Sequence, residues 1–195
     1  MSITGIVLAG GLGQRMGGVD KGFVNFLGKP LVAHVIDRLN PQVEEILVNA
    51  NRELGRYNAL GYEALQDEIA GFAGPLAGFS LGLQYAKHEY LLTVPCDSPL
   101  LPLDLAQRLL NGMLESRVDI AVASSDGHAH PVFCLCKKTV LKSLADYLAK
   151  DGHKVSAWQK NLEYIEVDFS DCADAFVNIN TPADLAALEL KSGHA

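Results

Sequence analysis

Short apolar runs of strand length alternate along this chain with longer segments of helical spacing, and that alternation limits the architectures open to it. Ile3–Leu8, Glu45–Asn49, Tyr90–Val94, Asp119–Ala123, Val132–Cys136 and Tyr164–Val167 read as strands. Pro30–Leu39 carries helical spacing at Leu31, His34, Val35, Arg38 and Leu39, and Pro75–Ala86, Leu103–Leu114, Lys138–Lys150 and Lys154–Lys160 read as further helices. Thr181-Pro182-Ala183-Asp184 opens a last one, with a threonine at the N-cap and proline at the first helical position. Such alternation predicts an α/β fold of three layers, α/β/α, with a mostly parallel central sheet covered on both faces. No repeat, low-complexity tract or linker interrupts it, so residues 1–195 are expected to form one domain. Sheets of this type bind ligands at the carboxyl ends of their strands, near a switch in strand order. Chemistry should therefore be sought where the strands end.

Composition narrows the function classes. Apolar residues make up 49% of the chain and charged residues 20%, ordinary globular usage. The formal charge of −7 argues against a protein that coats nucleic acid, which needs a basic face. An acidic protein that handles phosphates must instead gather its few cations in one pocket. The longest apolar runs are too short to span a bilayer, and Met1-Ser2-Ile3-Thr4-Gly5 lacks a cationic leader. Cys96, Cys134, Cys136 and Cys172 form no CxxC pair, which fits small buried residues in a reducing compartment and leads us to expect a cytoplasmic protein.

The first strand ends in the most informative stretch, Leu8-Ala9-Gly10-Gly11-Leu12-Gly13-Gln14-Arg15-Met16-Gly17-Gly18-Val19-Asp20-Lys21, where five of fourteen residues are glycine. Glycines let backbone N–H groups approach a ligand closely, and consecutive N–H groups cradle phosphate oxygens. Arg15 and Lys21 add positive charge to the same loop. Two familiar phosphate loops are excluded. Counting from Gly11, G-x-G-x-x-G would need glycine where Met16 stands, and Val19-Asp20 occupies the place of the Lys-Ser or Lys-Thr of a Walker A loop.

Leu8-Ala9-Gly10-Gly11 with Arg15-Met16-Gly17 and Asp20-Lys21 resembles the signature loop of the Rossmann-like nucleotidyltransferases. Within them, Arg15-Met16-Gly17-Gly18-Val19-Asp20-Lys21-Gly22 is similar to the family of molybdenum cofactor guanylyltransferases, which join GMP to molybdopterin. The likeness continues through Gly28-Lys29-Pro30-Leu31, Val48-Asn49-Ala50-Asn51-Arg52, Gly74-Pro75-Leu76-Ala77-Gly78, Pro95-Cys96-Asp97-Ser98-Pro99 and Phe176-Val177-Asn178-Ile179-Asn180-Thr181-Pro182. The resemblance implies a Mg²⁺-dependent enzyme that takes GTP and molybdopterin as substrates and releases pyrophosphate. It also implies proteins that deliver or accept the cofactor, which no residue here identifies.

Asp97, at the exit of a strand and beside a proline turn, is expected to project into the crevice above the sheet, beside the simpler reading of an aspartate that caps the next turn. Mg²⁺ takes one or two carboxylates plus substrate phosphates, and the resemblance makes Asp97 the metal ligand. Arg15 and Lys21 would neutralise the anionic acceptor and leaving group, so that charge neutralisation and positioning suffice without a covalent intermediate. Asn178 and Asn180, two apart on an extended segment, face one side and would bind the metal weakly or orient the acceptor phosphate, unless they serve only the turn. Guanine presents two donors on one edge, which suit a carboxylate; Asp67, after Tyr62–Leu65, matches the family's nucleotide-contacting aspartate. Asn49 matches another nucleotide contact, to base or ribose, and the backbone of Leu8, Ala9, Gly10 and Gly11 completes that side. On the acceptor side His130-Pro131 precedes a strand. Gly152-His153-Lys154-Val155 lies where members of the family often carry arginines, and only Lys154 keeps a permanent charge there. Lys154 is a candidate contact to the acceptor phosphate, beside the simpler reading of a solvated helix face.

Two other functions compete. A cytidylyltransferase or sugar-phosphate nucleotidyltransferase shares the loop, although the cytidylyl relatives show Leu-Ala-Ala-Gly where this chain has Leu8-Ala9-Gly10-Gly11. A catalytically silent nucleotide-binding module is disfavoured by Arg15, Lys21 and Asp97 standing together, since such a module does not need all three.

Overall fold

A computed structural model describes residues 1–11, 20–67 and 74–192. Nine strands and seven α-helices are found among them. Strands β1 (Ile3–Leu8), β4 (Glu45–Asn49), β5 (Glu63–Leu65), β6 (Tyr90–Pro95), β7 (Ile120–Ser125), β8 (His128–Lys137) and β9 (Tyr164–Asp168) form one seven-stranded sheet. Its order is β5-β4-β1-β6-β8-β7-β9. β1 pairs in parallel with β4 and β6, β4 with β5, and β7 with β9, whereas β8 runs antiparallel to both its neighbours. The chain leaves β1 for β4 and β5 on one side, then returns to β6 on the other. The crevice at the carboxyl ends of β4, β1 and β6 is therefore the switch point at which ligands bind in such sheets.

Period-two alternation sorts the strand side chains between two cores. Ile3, Val7, Val48, Leu92 and Val94 face α1 (Leu31–Leu39) and α4 (Leu105–Ser116), whose Val35, Leu39, Leu105 and Leu109 are buried with them. Ile6, Leu47, Leu91, Val122 and Cys134 face α3 (Pro75–Tyr85), α5 (Leu141–Leu148) and α6 (Val155–Gln159) through Phe79, Leu83, Leu144 and Trp158. β1 is buried along nearly its whole length, as a central parallel strand requires. α3 begins at Pro75, which follows Gly74 at φ +57 and occupies the position where proline's missing N–H costs nothing.

A third cluster holds the C-terminal segment over the sheet. Phe26, Leu31, Ile179 and Leu188 bury one another, the last from α7 (Pro182–Ser192). Phe26 comes from a two-stranded ribbon, β2 (Asn25–Phe26) and β3 (Lys29–Pro30), which turns through Leu27 and Gly28 at positive φ. The start of α7 is fixed by a reciprocal cap: Asp184 N–H donates to Thr181 Oγ1 at 3.1 Å, and Thr181 N–H donates to Asp184 Oδ2 at 2.8 Å. That cap carries the preceding segment, 178–180, across the carboxyl end of β6.

Candidate functional site

Asp97 is buried just beyond β6, and its carbonyl accepts from Ile179 N–H at 2.9 Å, which ties the segment before α7 to the strand end. The Lys21 ammonium donates to Asp97 Oδ2 at 3.0 Å and to Asn180 Oδ1 at 2.5 Å. Ser98 Oγ donates to Asn178 Oδ1 at 2.6 Å. Both asparagines thus turn toward the end of β6, on one side of their segment. A carboxylate and an amide oxygen converge on one cation, and hard oxygens of this kind are the donors a divalent magnesium ion accepts.

Lys21 is aimed by its predecessor. Asp20 caps the 3₁₀ turn Lys21–Phe23, accepting from Gly22 N–H at 3.0 Å. It also accepts from the Tyr57 hydroxyl at 2.6 Å. Tyr57 lies on α2 (Leu54–Asn58) and is fully buried. Burial, then the nearby Cys96 and Asp20, push its hydroxyl far above the ordinary tyrosine range, so it remains a donor. A buried carboxylate without such partners would cost several kcal/mol or take up a proton. Cys96 is also held protonated, by burial first and then by Asp97 and Asp20, and is no nucleophile.

A second polar cluster stands on the other side of β1. Asp67, after β5, accepts from Asn49 Nδ2 at Oδ1 (2.8 Å) and from Asn51 Nδ2 at Oδ2 (2.7 Å). Asn51 also donates to Gly10 O at 3.1 Å and accepts from Asp67 N–H at 3.0 Å. Asn49 is buried, with its amide turned to Asp67. Gly10 fits closely here: a Cβ on it would lie 3.0 Å from Asn49 Oδ1 and from Asn51 Nδ2 and would press on both amides. α3 crowds the same place, because a Cβ on Gly78 would lie 2.5 Å from Leu8 Cδ2 and 2.6 Å from Asn49 Oδ1. Leu8 O accepts from Cys96 N–H and Ala9 N–H donates to Asn49 O, so both backbone groups prolong the sheet beyond the strands. Gly11 O accepts from Arg52 at 3.4 Å.

Leu8 pairs with Asn49 on one side and with Pro95 on the other. The two clusters are therefore separated by two strand spacings, about 10 Å. The structure brings together Leu8, Ala9, Gly10, Asn49 and Asp67 on one side, and Lys21, Asp97, Asn178 and Asn180 on the other. Arg15, with the rest of 12–19, lies outside the described residues. Lys154 and His153 are exposed before α6, and His153 pairs with Asp151. His130 is half-buried, bonded to Ser125 Oγ at 2.7 Å and stacked on Phe176; burial, then His128, lower its pKa and keep it neutral. Tyr57 and Asn51 are parts of the arrangement that the sequence reading does not single out, and Asp20 enters that reading only as a member of the signature loop. Asn51 leaves a local signal, its spacing of two from Asn49 just past a strand.

Residues 5–164 match the family described as the MobA-like NTP transferase domain. The chain belongs to that family. The MobA-like relatives include the molybdenum cofactor guanylyltransferase of Polynucleobacter asymbioticus, 50% identical over 192 residues that cover 96% of each chain. The enzyme of the same name from Bordetella petrii is 46% identical over 190 residues, covering 95% of this chain and 96% of its own. The molybdopterin-guanine dinucleotide biosynthesis protein A of Archaeoglobus fulgidus shares the fold, with a TM-score of 0.82 at 20% identity, covering 98% of this chain and 100% of that one. Among the described residues no helix is long and apolar enough to cross a membrane.

Proposed function

We propose that this chain transfers GMP from GTP to the phosphate of molybdopterin, forming molybdopterin guanine dinucleotide and releasing pyrophosphate. The observation that carries the reading is the pair of polar clusters flanking the end of β1, an acid held by two amides on one side and a cation held by two oxygens on the other. A nucleotide laid across β1 would set its base against Asp67 and its phosphates against Lys21. The curated relatives named for this reaction supply the chemistry.

Asp67 accepts the N1 and exocyclic amine protons of guanine. Lys21 leaves Asp97 for the triphosphate, where its charge offsets the negative charge that builds on the departing pyrophosphate. Arg15 is assigned to the same task. An oxygen of the acceptor phosphate bonds to the α-phosphorus, the bond to the β-phosphate bridge breaks, and the electron pair leaves with pyrophosphate. Asn178 orients the acceptor phosphate. Asp97, with Asn180, would hold Mg²⁺, because Lys21 already marks a cation position between their oxygens. When bound, Mg²⁺ neutralises phosphate charge and polarises the phosphoryl oxygens. Four free cysteines support a reducing, cytoplasmic setting. The test is pyrophosphate release from GTP, ATP, CTP and UTP, with and without molybdopterin and Mg²⁺. Release from GTP that requires both is expected; equal release from CTP, or release without acceptor, would contradict the assignment.

A further inference from the structure

We propose that Asn51 is a positioning residue that sets base specificity by holding the Asp67 carboxylate, an inference that rests on the guanine reading of Asp67. A carboxylate on a half-exposed loop is free to rotate unless its oxygens are tied. Here each oxygen is tied to a different amide, Oδ1 to Asn49 and Oδ2 to Asn51. Asn51 commits all its groups: Nδ2 donates to Asp67 Oδ2 and to Gly10 O, and Oδ1 accepts from Asp67 N–H. Because the Asp67 N–H donates to Asn51 Oδ1, an inverted Asn51 would set donor against donor, and the amide has one orientation.

Each carboxylate oxygen has about two lone-pair sites, so with the described residues served one site on each remains for a ligand donor. Two acceptors at fixed spacing match two donors on one edge, which guanine has and hypoxanthine, lacking the exocyclic amine, does not. Because Asn51 also grips Gly10, it locks the acid in register with the backbone over which the base would lie. Asn49, buried beside Gly10 and Gly78, serves the other oxygen. Neither amide needs to touch the nucleotide for this to work.

The experiment compares dissociation constants of GTP, ITP and ATP on one preparation each of the parent, Asn51→Ala, Asn51→Asp and Asp67→Ala, by calorimetry without acceptor. Asn51→Asp preserves shape and serves should the alanine variant fold poorly. Loss of one charge-assisted hydrogen bond predicts that the GTP-over-ITP preference falls about tenfold in Asn51→Ala and further in Asn51→Asp, where two carboxylates face each other. A structural defect alone would weaken GTP and ITP in equal proportion, leave the ratio intact and overturn the proposal. A preference that collapses in Asp67→Ala but survives in both Asn51 variants overturns the role of Asn51 alone. One that survives Asp67→Ala overturns the guanine reading beneath it.

Discussion

Replacing Lys21 with methionine should shift two affinities in opposite directions. The Lys21 ammonium occupies the point where the oxygens of Asp97 and Asn180 converge, at 3.0 and 2.5 Å. A divalent cation that takes Asp97 must first open this pair. At 3.0 Å the Coulomb attraction is about 5 kcal/mol at an effective dielectric of about 20. Exchange with water reduces the net worth of a hydrogen bond to a charged group to about 1.5–3 kcal/mol. The Lys21 side chain is 23% exposed and the Asp97 side chain 11%, so solvent screening favours the lower end of that range. Methionine keeps the length of the side chain and removes its charge. Mn²⁺ binding to the nucleotide-free variant should therefore tighten about tenfold, the equivalent of about 1.4 kcal/mol. GTP binding should weaken by a similar factor, because the same charge is lost from the phosphate side. Mn²⁺ titration followed by electron paramagnetic resonance reads the first affinity, and calorimetry with GTP the second. Unchanged or weaker Mn²⁺ binding in Lys21→Met would refute the idea that lysine and metal compete for Asp97.

Two further outcomes follow from the base side. Asp67→Asn leaves one amide N–H facing a donor from Asn49 or Asn51 and another facing guanine, so GTP should lose about 1–3 kcal/mol while ATP, whose bare N1 accepts, loses much less; kcat/KM for both nucleotides checks it. Gly78→Ala drives a methyl group into Leu8 and Asn49. Overpacking of about 1–3 kcal/mol, offset by about 1 kcal/mol of helix propensity, predicts a small fall in Tm. Because Asn49 holds Asp67, GTP affinity should fall with it, measured by calorimetry beside thermal unfolding.

The layered architecture and six of the seven strands of the main sheet were legible because both cores impose a strict period on the chain; β5, three residues long, shows no period of its own. Glu45–Asn49 has the bounds expected, and Ile3–Leu8 likewise. Boundaries drifted where local signals compete. The helix expected at Leu103–Leu114 is Leu105–Ser116, and the one expected at Lys138–Lys150 begins as a 3₁₀ turn before Leu141–Leu148. β8 starts at His128 rather than Val132, because Asp126 and Gly127, both at positive φ, close a tight hairpin with β7. That Asp-Gly pair was the available signal. The ribbon Asn25–Pro30 and the five-residue α2 left none, since neither is long enough to show a period. Asp97 and Lys21 could be proposed from sequence because Asp97 follows a recognisable strand and Lys21 closes the glycine-rich stretch. The supports could not: Tyr57 reaches Asp20 across 37 residues, and Asn51 reaches Gly10 across 41. Their partners are set by the crossover of the chain at β1, which no local pattern encodes.

Transfer of GMP at the end of β6 is tested most directly by the formation of molybdopterin guanine dinucleotide, followed by mass spectrometry, from GTP and molybdopterin with Mg²⁺, in the parent and in Asp97→Asn. Asp97→Asn keeps the shape of the side chain and removes its charge, so circular dichroism should be unchanged. Dinucleotide is expected from the parent, with a loss of at least about a hundredfold in the variant, the scale of removing one electrostatic contributor to a transition state. Product formed by a folded Asp97→Asn at the parental rate would contradict transfer at this site.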